Sequence, residues 1–579
     1  MIPPEIGRIL TSVATENVWP LIERFSTLKR EHPRDVDIAA AEIVARLESF
    51  GLPVTVHEPE LFLSLPGSGA VLLGQRRFRA KPMAMSRATT GLVAPLAYLP
   101  NTHDPDLEEV FQRPQPSEAD RLARGRVVVT EGYGMPGMVA HYEAAGALGV
   151  IAVNPGRNAH WGICTTIWGV PDLTDLPRKP GIPVVAVNNQ DGQALIAAAR
   201  RGEVATIVAE VEEGWFRSPI PLVQIPGTDE PEAFALLHGH YDSWDVGVGD
   251  NAVGDATMVE VARVLWHHRR ELRRSVWIAW WPGHSTGRYA GSTWFADHYA
   301  QELYQSCIAQ VNCDSPGCRW ATEYLDVAWM SEAEDFAKSV IKTIAGKDAR
   351  GERPFQAGDY SFNNIGISSL FMLLSTMAPE DRATKGYYAV GGCGGNIAWH
   401  TEDDTMEIAD PSILLTDMKI YLATVMGAAN ATIAPFDFAA TLAEFRATLE
   451  RYQRAAGGVF SFGPTREAVA GLARAVERLN ALAAGLHDRS VTDAEVRRVN
   501  GALRRLARRL VPINFTTGPA FFHDQAEQIP PLPDLAPALE IPGCPPERLG
   551  FVRTHLTRGQ NRLVATLRDA TAEVTGVTG

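Results

Sequence analysis

Apolar residues change their spacing several times along the chain, and each change marks a different kind of element. From about residue 36, DIAAAEIVARLESF sets Ile43, Val44, Leu47 and Phe50 on one face, which predicts a helix ending at Gly51 and an extended segment after Pro53. Between 66 and 217 short runs such as RVVVTEG and IPVVAVNN alternate with glycine and proline turns, around one helical stretch, MVAHYEAAGALGVIAVN. That stretch reads as a small β-rich domain inserted into a larger one. From about 220 the apolar strands AFALLHGH, SVWIAWW and CIAQVNCD are separated by helical segments over ATMVEVARVLWHHRRELRR and STWFADHYAQELYQ. LDVAWM and SSLFMLL are predicted to continue the same sheet.

Strands that are apolar throughout need cover on both faces, and in such folds sites form outside the carboxyl ends of the strands. After APFDF (434 to 438) the chain turns helical, with long helices predicted near 437 to 455, 464 to 486 and 491 to 511, then a proline-rich segment and a final helix. The expected layout is an α/β catalytic domain from 1–65 and 218–434, an insert at 66–217, and a helical domain at 435–579.

Composition narrows the function. With 45% hydrophobic and 21% charged residues among 579, the chain can build more than one core. A net charge of −14 disfavours a nucleic-acid surface. Arginines cluster in HHRRELRR and VRRVNGALRRLARR, and the second run is expected to be a solvated or inter-helix face. No run approaches about 18 uninterrupted apolar residues and the start lacks a signal-peptide pattern, so a cytoplasmic protein with no membrane contact is expected. Six cysteines without a CxxC pair predict reduced thiols and no structural zinc.

The candidate chemistry lies beside the strand ends. HGHYDSW supplies His240 and Asp242, GVGDNAVGD supplies Asp250, QVNCDSPG supplies Asp314 and AWHTEDDT supplies His400. Imidazole and carboxylate are the donors that zinc and similar divalent ions use, and one carboxylate can bridge two ions. Asp242 is expected to hold the far nitrogen of His240.

These motifs resemble the co-catalytic zinc aminopeptidase superfamily, in the branch containing glutamate carboxypeptidase and the transferrin receptor. The resemblance implies His240, Asp250 (as bridge), Asp314 and His400 as metal ligands, with one or two divalent ions, most simply zinc. It also implies a three-layer catalytic domain with a mixed sheet. RVVVTEGYGMPGMVAHYEAAGALGVIAVNPG is similar to a protease-associated domain, and LVPINFTTGPAFFHDQAEQIPPLPDLAPALE to the family's helical dimerisation domain, which implies a homodimer.

One place departs from the family pattern. Where active relatives carry a glutamate pair, one the general base and one a metal ligand, this chain has PGHSTGRYAGS. His284 could restore the second metal position, act as acid or base, or only fill space. Ser285 and Arg288 complete the candidate catalytic set; Arg288 would bind a substrate carboxylate or form a plain surface ion pair. Glu402 is a further candidate base. Glutamate-preferring relatives carry an arginine in the loop that here reads EGYGMPGMVA, so acidic-peptide specificity is not expected. The leading function is a metal-dependent hydrolase of an amide or related C–N bond in a small molecule or short peptide. A metal-dependent lyase and a non-catalytic receptor are the alternatives.

Overall fold

The apolar runs after residue 220 form the sheet that carries the candidate site. The computed structural model describes residues 4–101, 117–490 and 492–579. Its central sheet has six strands in the spatial order Thr55–His57, Ile220–Ile225, Arg274–Trp281, Glu230–His240, Cys307–Asn312 and Ser369–Leu370. The first two pairings are antiparallel and the other three parallel, so the sheet is mixed. His240 lies opposite Trp281, and His238 opposite Asn312. The carboxyl ends of three central strands therefore finish together, and the loops bearing His240, His284 and Asp314 leave from one edge.

Both faces of that sheet are covered, as runs without polar alternation require. Along Glu230–His240, Ala235 and Leu237 join the core under helices Pro33–Ser49, Val253–His267 and Pro411–Asn430. Phe234 and Leu236 join a second core with Trp281, Phe295 and Phe362. Each such buried side chain contributes about 1.5–3 kcal/mol. Pro411–Asn430 is the one helix among the described residues long and apolar enough to cross a membrane, and its place is in this core.

Two expectations need correction. LDVAWM yields only Val327–Ala328, paired with Gly351–Glu352 in a separate two-stranded sheet, and SSLFMLL yields only Ser369–Leu370 at the sheet edge. Apolar content alone does not separate a strand from a buried loop, and the second segment leaves the sheet after Leu370 and brings Met372 to the cleft.

Residues Glu60–Arg217 contain a closed barrel in the order Glu60–Leu73, Arg76–Pro82, Val184–Val187, Gly149–Val153, Val127–Glu131, Thr89–Tyr98, Val204–Arg217. Its first and last strands pair antiparallel from Glu60 opposite Arg217 to Leu72 opposite Thr206, so the chain enters and leaves through one ribbon. The C-terminal part is helical over Phe438–Ala456, Gly463–Ala484, Ala494–Phe515 and Pro546–Thr578, with Asp437 and Asp493 accepting backbone N–H groups at two N-termini. Arg508, from the second arginine run, is buried rather than solvated. It donates to the carbonyls of Leu303, Tyr304, Gly366 and Cys307, which joins the helices to the sheet layer.

Candidate metal centre

The loop after His240 is held by residues far away in sequence. The fully buried guanidinium of Arg30 donates to the carbonyls of Tyr241 at 2.6 Å, Val246 at 2.8 Å and Gly247 at 3.0 Å. Asp404 accepts from the backbone N–H of Gly249 at 2.6 Å and of Asp250 at 3.0 Å. Asn251 donates to the carbonyls of His240 and Cys313 and accepts from the N–H of Ser315, which ties together the loops bearing His240, Asp250 and Asp314. Burial pushes the Asp404 carboxyl up to about 7, with the neighbouring Asp250 charge adding to it.

Within this frame the four predicted ligands converge. His240 Nε2 lies 3.1 Å from Asp250 Oδ1 and 3.6 Å from Asp314 Oδ2, while His400 Nε2 lies 3.1 Å from Asp250 Oδ2. Each oxygen of Asp250 thus faces a different imidazole. The Nδ1 atoms are engaged elsewhere: that of His240 sits 2.9 Å from the carbonyl of Asp242, and that of His400 sits 3.0 Å from the carbonyl of Trp161. Donation at Nδ1 leaves the Nε2 lone pair of each neutral ring aimed at a carboxylate. That contact is repulsive unless a positive charge, a proton or a metal ion, lies between, and His240 Nε2 is buried without a hydrogen-bond partner. The carboxylates favour such a charge: against burial, Asp242, Asp250 and Asp314 raise His240 well above its usual value in the ion-free site, and His240 and His400 hold Asp250 well below the carboxylate range. A divalent cation fits the same donors and takes the place of the proton.

The expected role of the Asp242 side chain is corrected. Its carboxylate is 3.7 Å from His240 Nδ1, and it instead accepts from the N–H of His284 at 3.2 Å and of Ser285 at 2.9 Å. The backbone carbonyl orients His240, and the side chain fixes the segment that replaces the glutamate pair.

His284 lies on the His240 side of the cluster. Its ring stacks on His240 with centroids 3.8 Å apart, and donor atoms of His240, His284 and Asp314 lie within 4.8 Å of one another. His284 Nδ1 is 2.9 Å from Asp359 Oδ2. Burial would raise Asp359, yet the adjacent His284 holds it at about 2. Asp359 was missed as a functional residue; it lies in GDYSFNNIG, where the only signal was a glycine-flanked acid beside an apolar run.

Ser285 is 2% exposed and lines the cleft. The surface-pair reading of Arg288 fails, because it is 5% exposed and forms no ion pair among the described residues. Glu402 is not a spare base: Lys81 donates to it at 2.6 Å, and Arg79 approaches within 3.5 Å. His238, Cys313, Cys318 and Cys393 are all buried.

A cleft lies against these groups, and Asp250, Asp314, His284 and His400 are among its lining residues. Part of one wall comes from the barrel, through Tyr133, Met135 and Trp161. Tyr133 and Met135 belong to the loop where an arginine would favour acidic peptides, and here they present an aromatic and an apolar surface.

Residues 222–425 match Peptidase family M28. The chain is 24% identical over 467 residues to a probable glutamate carboxypeptidase VP8 of Zea mays, covering 69% of this chain and 65% of that protein. It is 28% identical over 275 residues to the aminopeptidase YwaD of Bacillus subtilis, covering 46% and 53%. These alignments span less than two thirds of either relative. Among solved structures, an aminopeptidase from Aneurinibacillus sp. strain AM-1 superposes with a TM-score of 0.52 at 18% identity, covering 73% of this chain and 96% of that one. The shared fold is that of zinc aminopeptidases, with a mixed α/β sheet.

Proposed function

We propose, for a chain whose residues 222–425 match Peptidase family M28, that the site is a metal-dependent hydrolase of an amide or related C–N bond in which a His284–Asp359 pair does the work of the missing glutamate. The observation that carries this reading is the 2.9 Å contact between His284 Nδ1 and Asp359 Oδ2, made over the His240–Asp314 cluster. His240, Asp250, Asp314 and His400 would hold the ion, zinc by the chemistry of the donors. When bound, it supplies Lewis-acid polarisation of a carbonyl.

The remaining roles belong to side chains. Asp359 holds His284 in the tautomer that carries its proton on Nδ1, leaving the other ring nitrogen free to take a proton from attacking water. The same nitrogen then returns it to the departing amine, and Asp359 stabilises the intervening imidazolium. Asp242, through the N–H groups of 284 and 285, keeps the ring in place. The aromatic walls exclude bulk water from small substrates.

A second use of His284 is favoured by its proximity to His240 and Asp314: it would be a metal ligand backed by a carboxylate. His284→Gln separates the two. As a base, its loss leaves the zinc content of the purified protein unchanged and lowers kcat by about 10²–10⁴-fold. As a ligand, its loss removes zinc. A screen of N-acyl amino acids and short peptides in H₂¹⁸O tests the reaction class, because hydrolysis places label in the acid product and elimination does not. Turnover without label would establish the lyase alternative. Protein purified without chelator and free of transition metal would favour the non-catalytic receptor.

A further inference from the structure

The segment that lacks the glutamates carries an arginine whose charge finds no counterpart among the described residues. Arg288 is 5% exposed and lines the cleft beside Ser285 and Tyr289. Its Nε and Nη2 are buried without a hydrogen-bond partner, and no ion pair reaches it among the described residues. Its described company is the Tyr289 ring, 4.9 Å from the guanidinium carbon.

Its position is built, not incidental. Arg288 and Tyr289 both adopt left-handed backbone, at φ 48° and 72°, a conformation that residues with a side chain take at a cost. The turn is fixed by the Gly169 N–H donating to the Arg288 carbonyl at 2.5 Å and the Gly358 N–H donating to the Tyr289 hydroxyl at 2.9 Å. A guanidinium removed from water and left unpaired is among the most unfavourable groups a fold can hold. An acceptor that arrives with the ligand makes the arrangement favourable.

The chemistry of the group identifies that acceptor. A guanidinium is a flat fork of N–H donors, and a planar carboxylate is the anion that takes two parallel bonds from it. The cleft around it is lined by Tyr133, Trp161, Phe355 and Trp399, and also by Asp250 and Asp314. We propose that Arg288 is a substrate-binding residue that holds a free carboxylate, so that the ligand is a small carboxylic acid with an apolar or aromatic group. Resting on the hydrolase reading for its reaction, this makes the substrate class N-acylated amino acids and the C-terminal residues of short peptides.

The test uses the zinc-loaded full chain and two isosteric probes, 3-phenylpropanoate and 3-phenylpropanamide, with affinity measured by calorimetry. Wild type is expected to bind the acid about ten- to a hundredfold more tightly than the amide, the range of a charge-assisted hydrogen-bonded contact. Arg288→Gln is expected to abolish the preference with zinc content as in wild type and an unfolding temperature no lower than that of wild type. Arg288→Lys, which keeps the charge and loses the fork, is expected to retain only part of it, and it decides the matter if the glutamine variant does not fold. Equal binding of both probes by wild type overturns the proposal. So does a preference that survives both substitutions, which would place the carboxylate on the metal. Hydrolysis of N-acetyl-L-phenylalanine and of its amide is followed alongside. Acid-selective binding without turnover of either compound removes the hydrolase reading and leaves the Arg288 site standing. Equal turnover of both, with no binding preference, removes the Arg288 site alone.

Discussion

The two sides of the Asp250 carboxylate are supported differently. On one side His240, Asp314 and His284 are held from within the sheet domain, by the carbonyl and carboxylate of Asp242, by Asp359 and by the Asn251 cross-links. On the other side His400 stacks on Trp399 at 3.7 Å, and its Nδ1 meets the carbonyl of Trp161, a residue of the barrel segment. The Trp161 N–H in turn donates to the His400 carbonyl at 2.9 Å. One half of the site is therefore prepared by the strand ends, and the other is held where a loop of the barrel segment meets the loop of His400. A site split in this way can lose one half and keep the other, and four substitutions probe that division.

The largest effect is expected where the halves join. Asp250→Ala removes the carboxylate that faces both His240 and His400, so zinc affinity is expected to fall by more than about 100-fold, because even residues behind the ligands cost about 10–100-fold. Metal analysis after dialysis against a calibrated chelator measures it. Retention of one tightly held ion would show that the halves are independent and that Asp250 does not link them.

Asp359→Asn acts on the sheet-supported half alone. An amide keeps the shape but cannot carry the charge that orients and stabilises His284, and a loss of about 10–100-fold in kcat with KM little changed is expected. An equal rise in KM with kcat intact would assign Asp359 to substrate binding instead.

This division also explains what the sequence disclosed. The candidate ligands His240, Asp250, Asp314 and His400 were legible because each donor type sits just after an apolar run or in a motif that resembles the family's, and strand ends gather such residues. The central apolar strands and the C-terminal helices were legible from periodicity, whereas the mixed sheet was implied by the family resemblance. What stayed hidden depends on distant partners. Arg30 reaches residues more than 200 positions away, Asp359 meets His284 from 75 positions away, and Trp161 reaches His400 across 239. Asp242 was found as a residue but misread in role, since spacing cannot tell a carbonyl contact from a carboxylate contact two residues from the same histidine.

A smaller effect is expected from the barrel side. The buried Asn154 donates to the carbonyl of Gly132 at 2.7 Å and accepts from the His160 N–H at 2.6 Å, which shapes the segment leading to Trp161. Asn154→Ala removes two buried hydrogen bonds, costing about 1–3 kcal/mol of stability. Affinity for a second zinc equivalent is expected to fall roughly tenfold at most, with the first unaffected. Loss of the first equivalent as well would mean that the barrel supports both halves.

The smallest effect concerns the base of the Asp314 loop and is read through pH. Asp417, buried in helix Pro411–Asn430, accepts from the Gly317 N–H at 2.8 Å, the Ser375 hydroxyl at 2.6 Å and the Tyr324 hydroxyl at 3.0 Å. Burial outweighs these three donors and pushes its carboxyl up from 3.8 to about 6. A raised carboxyl binds its proton more tightly in the folded chain than in the unfolded one. Its contribution to stability is therefore fully present below pH 3.8 and is lost as pH rises through about 6. Asp417→Asn has no such proton, so the stability lost on substitution is expected to be greater near pH 4.5 than near pH 7.5, by on the order of 3 kcal/mol at most. Urea unfolding of both proteins at the two pH values measures the difference. An identical loss at both would show that the donors from Gly317, Ser375 and Tyr324 offset burial completely, leaving the Asp314 half of the site braced independently of pH.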